Sequence, residues 1–183
     1  MGKLIFILGG ARSGKSAYAQ QLAEDIEKER DGGVVYIATA EAGDEEMRAR
    51  IERHRRSRPP GWETVEALTG VAAAVARVGA GRAAVIVDCL TLLMSNLLLA
   101  EGEAADREEA TRRVLREVEE LIEAARAVEA DVIVVSNEVG MGVVPPTPLG
   151  RLFQDIAGQA HQLLARAADE VYFMLAGLHQ RLK

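Results

Sequence analysis

Gly9-Gly10-Ala11-Arg12-Ser13-Gly14-Lys15-Ser16 is the stretch on which the reading of the fold turns. It fits the phosphate-loop pattern G-x-x-x-x-G-K-[ST], and its flanks are the ones that the pattern requires. The apolar run Lys3–Leu8 before it reads as a buried strand. Ser16–Lys28 after it reads as an amphipathic helix. Gly9 and Gly14 permit backbone angles that let successive N–H groups converge on an anion. The helix that starts here points its positive end at the same place. Lys15 brings a point charge to the β- and γ-phosphates, and the Ser16 hydroxyl suits Mg²⁺.

Working outward, the strand-like run recurs. Val34–Ala38, Ala83–Val87, Val132–Val135 and Val171–Leu175 are continuously apolar and mostly β-branched, as strands covered on both faces should be. Helical patterns separate them, over 44–58, 69–78, 90–100, 107–128 and 149–168. In the fourth of these, Val114, Leu115, Val118, Leu121 and Ile122 form a core-facing stripe among charges. The alternation predicts an α/β fold with a mostly parallel sheet and helices on both faces. Residues 178–183 are expected to return as a short antiparallel edge strand. The chain of 183 residues reads as one domain over 1–183.

Composition narrows the class. A net charge of −6 and only 4% aromatic residues argue against a nucleic-acid binder, which needs basic surface and stacking platforms. One cysteine, Cys89, excludes an internal disulfide framework and fits a reducing compartment. No apolar run is long enough for a membrane span, so a cytoplasmic protein is expected.

Three further motifs bear on chemistry. Ala84–Asp88 is an apolar strand ending in a carboxylate, and next to a phosphate loop such an acid holds Mg²⁺. The plainer alternative is an N-cap for the helix at Leu90. Residues 48–58 carry six arginines and His54. On a helical period Met47, Ile51 and His54 share a face, with Arg50 and Arg53 beside them. The bland alternative is a solvated helix whose arginines pair with Glu45, Glu46 and Glu52. The chemical one is an anion site, since guanidinium forks suit phosphate oxygens and cationic neighbours favour the neutral, nucleophilic imidazole. Ser136-Asn137-Glu138-Val139-Gly140-Met141-Gly142-Val143-Val144-Pro145 comes after a strand, at the same sheet edge as the phosphate loop, and reads either as a lid or substrate loop or as an ordinary glycine-containing loop.

Together these segments resemble the bifunctional adenosylcobinamide kinase/adenosylcobinamide-phosphate guanylyltransferases of cobalamin biosynthesis. The resemblance runs through GGARSGKS at 9–16, YIATA at 36–40, DEEMRARIERHRRSRP at 44–59, GWETVE at 61–66, VDCLTLLMSNLL at 87–98, SNEVGMGVVP at 136–145 and most of 149–178. It implies a RecA-like P-loop fold, a trimer, and two reactions at one site. The first phosphorylates adenosylcobinamide with ATP or GTP. The second transfers GMP from GTP to adenosylcobinamide phosphate through a guanylyl-histidine. By this resemblance His54 is the guanylylated residue and Gly9, Gly10, Ala11, Arg12, Ser13, Gly14, Lys15 and Ser16 form the phosphate loop. Thr39, Ala40, Glu41, Arg55, Arg56, Ser57, Arg58, Glu66 and Asp88 then line the GTP site. Relatives often continue after Val-Pro with Glu-Asn, where this chain has Pro146-Thr147-Pro148, a substitution expected to stiffen the loop. The competing readings are a small-molecule P-loop kinase without guanylyl transfer and a RecA-like module gated by nucleotide.

Overall fold

Six residues, Leu4–Gly9, form the strand that the rest of the sheet is built around. They are β1 in a computed structural model, which describes residues 2–41, 43, 45–56, 58–100 and 106–183. After β1 come α1 (Lys15–Glu29), β2 (Val34–Ala38), α2 (Glu45–Arg56) and β3 (Glu63–Glu66). Next are α3 (Val71–Val78), β4 (Ala84–Asp88), α4 (Leu90–Leu99) and α5 (Arg107–Ala127). The chain ends with β5 (Asp131–Asn137), α6 (Pro148–Ala167), β6 (Glu170–Leu175) and β7 (Leu178–Arg181).

The sheet order is β3-β2-β4-β5-β1-β6-β7, and only the β6–β7 pair is antiparallel. This is the mostly parallel P-loop, RecA-like arrangement with a short antiparallel edge that the sequence predicts. Each strand buries alternate residues in opposite directions. Phe6, Val35, Val85, Val87 and Val134 face one core, which α3, α4, α5 and α6 complete. Ile5, Ile7, Tyr36, Ile86 and Val135 face the other, under Ala19 and Ala23 of α1. Continuous apolar runs are therefore required in the central strands, as their sequences show.

One feature departs from the sequence reading, and one alternative left open there falls away. The strand β3 was not expected, because its four residues, ETVE, have charged, exposed ends and no apolar run. It pairs only with β2, as a sheet edge, where one-sided burial suffices. Asp88 does not cap the helix at Leu90: the N-cap position is Cys89, and no side chain caps that end. The Pro146-Thr147-Pro148 segment has a definite job. Thr147 Oγ1 accepts from Gly150 N at 3.1 Å, Pro148 occupies the first turn of α6, and Arg151 Nη1 donates to the carbonyls of Pro145 and Pro146 at 3.0 and 2.9 Å. The stiffening expected there is thus a helix start.

Gly9 closes β1 where the chain has no room for a side chain. A Cβ there would stand 2.4 Å from Met174 O on β6 and 2.9 Å from Ser13 Oγ. Gly9→Ala is expected to lose about 1–3 kcal/mol of unfolding free energy, because backbone rather than a flexible side-chain end must move. Urea denaturation of the two proteins measures it; equal midpoints and slopes would show that the strand–loop junction has slack.

Candidate active site

The loop between β1 and α1 is a cradle of backbone donors. Arg12 at φ 57° and Gly14 at φ 97° turn the peptide planes alternately, the geometry of an anion-binding nest. The cradle is braced from outside. Glu138 N donates to Gly9 O at 2.9 Å, and Gly177 N, in the β6–β7 turn, donates to Ser13 O at 3.0 Å. Lys15 is buried, and its Nζ donates to Gly10 O at 2.6 Å across the loop. The Ser13 hydroxyl is buried with no hydrogen-bond partner, so a phosphate oxygen entering the cradle would satisfy an otherwise orphaned group. Gly10, Ala11 and Ser16 complete the loop, with Ala11 and Arg12 exposed.

Asp88 ends β4 on the same face as α1. It accepts a hydrogen bond from Tyr36 Oη at 2.5 Å. The Arg58 guanidinium lies over the Tyr36 ring, 3.5 Å from its centroid, and donates to Thr64 Oγ1 at 3.0 Å. The structure thus brings Asp88 and Arg58 together through a tyrosine to which the motifs alone assign no role. Burial first, and then the Asp88 charge, push the Tyr36 phenol far above its ordinary range, so it stays protonated and donates. A hydroxyl at Ser16 and a carboxylate at Asp88 are hard oxygen donors, the chemistry that Mg²⁺ takes.

The other expected residues divide by role. Thr39 is fully buried, and its hydroxyl is engaged twice: Oγ1 donates to Cys89 O and accepts from Cys89 N, both at 2.8 Å. It pins the β2 tip to the β4 tip. Ala40 is half-buried and Glu41 exposed just beyond. Asn96 Nδ2, from α4, donates to Thr39 O and Leu68 O, both at 2.9 Å, and fixes that loop from behind. Glu66 ends β3 in register with Ala38 and lines a depression of about 420 Å³ with Leu68, Gly70 and Arg77. On α2, His54 is half-buried, while Arg55 and Arg56 are exposed and Arg56 pairs with Glu52 at 2.9 Å. Ser57 lies outside the described residues, as do the side chains of Met47 and Arg50. Burial pushes the Cys89 thiol up to about 11, which keeps it an inert core group beside Asp88.

Sequence reasoning missed a buried polar chain behind the β5 tip. Asn137 N donates to Thr91 Oγ1 at 2.7 Å. The Thr91 and Ser136 hydroxyls are 3.0 Å apart, and Ser136 Oγ is 2.8 Å from His161 Nε2. His161 Nδ1 stands 3.8 Å from the Glu138 carboxylate, and Glu138 also accepts from Gly140 N. A lone histidine inside an otherwise apolar helix face was the available signal.

Fold and cradle together define a P-loop nucleotide-dependent protein. The family model for cobinamide kinase / cobinamide phosphate guanyltransferase matches residues 5–182, and the chain belongs to that family. It is 40% identical over 185 residues to the bifunctional adenosylcobalamin biosynthesis protein CobU of Salmonella typhimurium, covering 98% of this chain and 99% of that one. It is 43% identical over 177 residues to the bifunctional adenosylcobalamin biosynthesis protein CobP of Pseudomonas aeruginosa, covering 97% and 95%. Among solved structures it is similar in fold to the flagellar accessory protein FlaH of Methanocaldococcus jannaschii, with a TM-score of 0.54, 15% identity, and 100% of this chain and 78% of that one covered. Among the described residues, no helix is long and apolar enough to cross a membrane.

Burial lowers the His161 pKa below its ordinary value, and the Glu138 charge opposes this only in part. The unfolded chain therefore binds the proton more readily, and stability falls as pH drops through the unfolded value of about 6.5. Thermal unfolding measured from pH 7.5 to 5.5 should show a declining midpoint, and His161→Gln should flatten that decline. An equal slope in both proteins would place the acid sensitivity elsewhere.

Proposed function

We propose that this protein phosphorylates the aminopropanol hydroxyl of adenosylcobinamide with ATP or GTP. It then transfers GMP from GTP to the resulting phosphate, giving adenosylcobinamide-GDP. The observation that carries this reading is one strand-end edge that holds the phosphate cradle at β1, Asp88 at β4, Glu66 at β3, and the His54 helix between β2 and β3. From β1 to β3 the edge spans four strand spacings, roughly 19 Å, close to the reach of an extended nucleoside triphosphate.

The roles rest on charge and position. Loop N–H groups and Lys15 hold the triphosphate and offset its negative charge. Ser16 and Asp88 would hold Mg²⁺, which would supply charge neutralisation at the phosphates. In the kinase step the corrinoid hydroxyl attacks the γ-phosphorus, loses its proton, and the nucleoside diphosphate leaves. In the second reaction a ring nitrogen of His54 attacks the α-phosphorus of GTP and pyrophosphate leaves. An oxygen of adenosylcobinamide phosphate then attacks the same phosphorus, breaking the P–N bond and returning the imidazole. Arg55, Arg56, Ser57 and Arg58 stand next to that histidine in sequence and suit phosphate oxygens. Glu66, at the end of β3, would accept from the N1–H and N2–H donors of guanine, which adenine does not present as a pair. Thr39, Ala40 and Glu41 shape the loop between β2 and α2. Because α2 is separate from the sheet, His54 reaches the α-phosphate by movement of the helix between Gly43 and Pro59-Pro60-Gly61. We take the protein as one domain over its 183 residues, working in the cytoplasm as a homo-oligomer, a trimer.

The test is covalent labelling. Wild-type protein incubated with α-labelled GTP and Mg²⁺ should retain one GMP in an acid-labile, alkali-stable bond. His54→Ala should lose the label and guanylyl transfer while keeping kinase activity, and Lys15→Ala should lose both activities. Full label on His54→Ala would sink the histidine intermediate.

A second measurement addresses the base. Glu66→Gln should reduce the preference for GTP over ATP in binding by about 10-fold, since an amide meets one of the two guanine donors with its own N–H₂. An unchanged GTP/ATP ratio by calorimetry would remove Glu66 from base recognition.

A further inference from the structure

A phenol at position 36 is physically unnecessary for the core. Tyr36 is 2% exposed, opposite Ile86 in the apolar core on the α1 face, where a phenylalanine would fill the same space. Its hydroxyl needs a partner there, because an unmet buried hydroxyl is costly. Register supplies one. Tyr36 lies opposite Ile86 on β4, so Asp88, two residues further on the same face, is its diagonal neighbour, within reach of a long aromatic side chain. Ala38, directly beside Asp88, carries only a methyl group and leaves the ring a path. The result is the 2.5 Å bond from Tyr36 Oη to Asp88 Oδ2.

The face of the ring is also held. Arg58 comes shortly after the His54 helix, its guanidinium carbon is 3.5 Å from the ring centroid, and its Nη1 is tied to Thr64 on β3. A cation on a π face withdraws electron density from the phenol and makes its O–H a better donor. One bonded chain therefore runs from the segment after α2, through β2, to the acid at the β4 tip.

The geometry points to Tyr36 as a positioning residue for the metal-binding carboxylate, with Arg58 linking that carboxylate to the segment that carries the nucleophilic histidine. With Oδ2 held by the phenol, Asp88 keeps one rotamer, and Oδ1 and the remaining lone pairs are left for the cation. A ligand already oriented by an outer partner loses less freedom on binding metal, and removing such partners typically costs 10- to 100-fold in metal affinity. The link also means that a change in Arg58, on nucleotide capture or helix movement, alters how firmly Asp88 is held. This inference rests on the reading of Asp88 as the Mg²⁺ acid.

The experiment is calorimetric titration of GTP at a series of Mg²⁺ concentrations and in EDTA, on the full chain. Tyr36→Phe should raise the Mg²⁺ concentration at which GTP binding is half-tightened by about 10-fold, and leave the affinity in EDTA unchanged. Asp88→Asn should abolish the Mg²⁺ dependence, and adding Tyr36→Phe to it should change nothing further. Arg58→Lys, which cannot stack in the same way, should shift the Mg²⁺ midpoint in the same direction by a smaller factor; it carries the test should Tyr36→Phe fold poorly. A Tyr36→Phe midpoint equal to wild type, or an equal effect with and without Asp88, overturns the proposal while leaving the metal reading intact. A normal Mg²⁺ dependence in Asp88→Asn overturns the metal reading itself, and this inference with it.

Discussion

Strand β1 is hydrogen-bonded along both edges, to β5 and β6, as far as Gly9, and the chain must then turn at once into a helix. That constraint organises the molecule. The carbonyl of Gly9 is taken by Glu138 N and that of Ser13 by Gly177 N, so the phosphate loop is gripped by the segment after β5 and by the β6–β7 turn. With its carbonyls occupied on the outside, the loop offers N–H groups to the inside. The antiparallel edge pair is therefore more than a sheet terminus, since its turn forms one wall of the phosphate cradle.

The global charge of −6 says little about such a site. In the proposed reading, affinity for a triphosphate comes from oriented backbone donors, a buried lysine and a local run of arginines, all at short range. Acidic residues elsewhere are largely spent on the solvent-facing sides of helices, as in the Glu108, Glu109 and Arg112 cluster on α5. Screening over about 8 Å at physiological ionic strength separates these from the strand-end edge.

Two buried polar chains border that edge, one on each face of the sheet. On the α1 face Arg58, Tyr36 and Asp88 connect β3, β2 and β4. On the opposite face Thr91, Ser136 and His161 connect α4, β5 and α6 beneath the Glu138 loop. The hydrogen bonds within these chains tie the tips of adjacent strands at fixed heights relative to one another. Fixed heights matter to an enzyme of this family because one nucleotide must present its γ-phosphorus in one reaction and its α-phosphorus in the other.

The central strands, their helices, the phosphate loop and the strand-end acid were all legible in the residues, because each rests on a local rule: apolar periodicity, glycine conformation, or a carboxylate closing an apolar run. The His54 helix stood out for its arginine density, and the antiparallel edge for its position after β6. Other features could not be read this way. The ETVE strand has no core face of its own and exists only because β2 offers a free edge. Thr39 reads as a loop hydroxyl, yet the fold turns it inward onto Cys89. Tyr36 reads as one more apolar strand residue, and its partner lies 52 positions away. The sequence by itself determined the types of the central elements, and that the phosphate-loop pattern falls where β1 meets α1. Tertiary structure alone decided which side chains meet across strands, because register and strand order join residues whose separation along the chain carries no periodic trace.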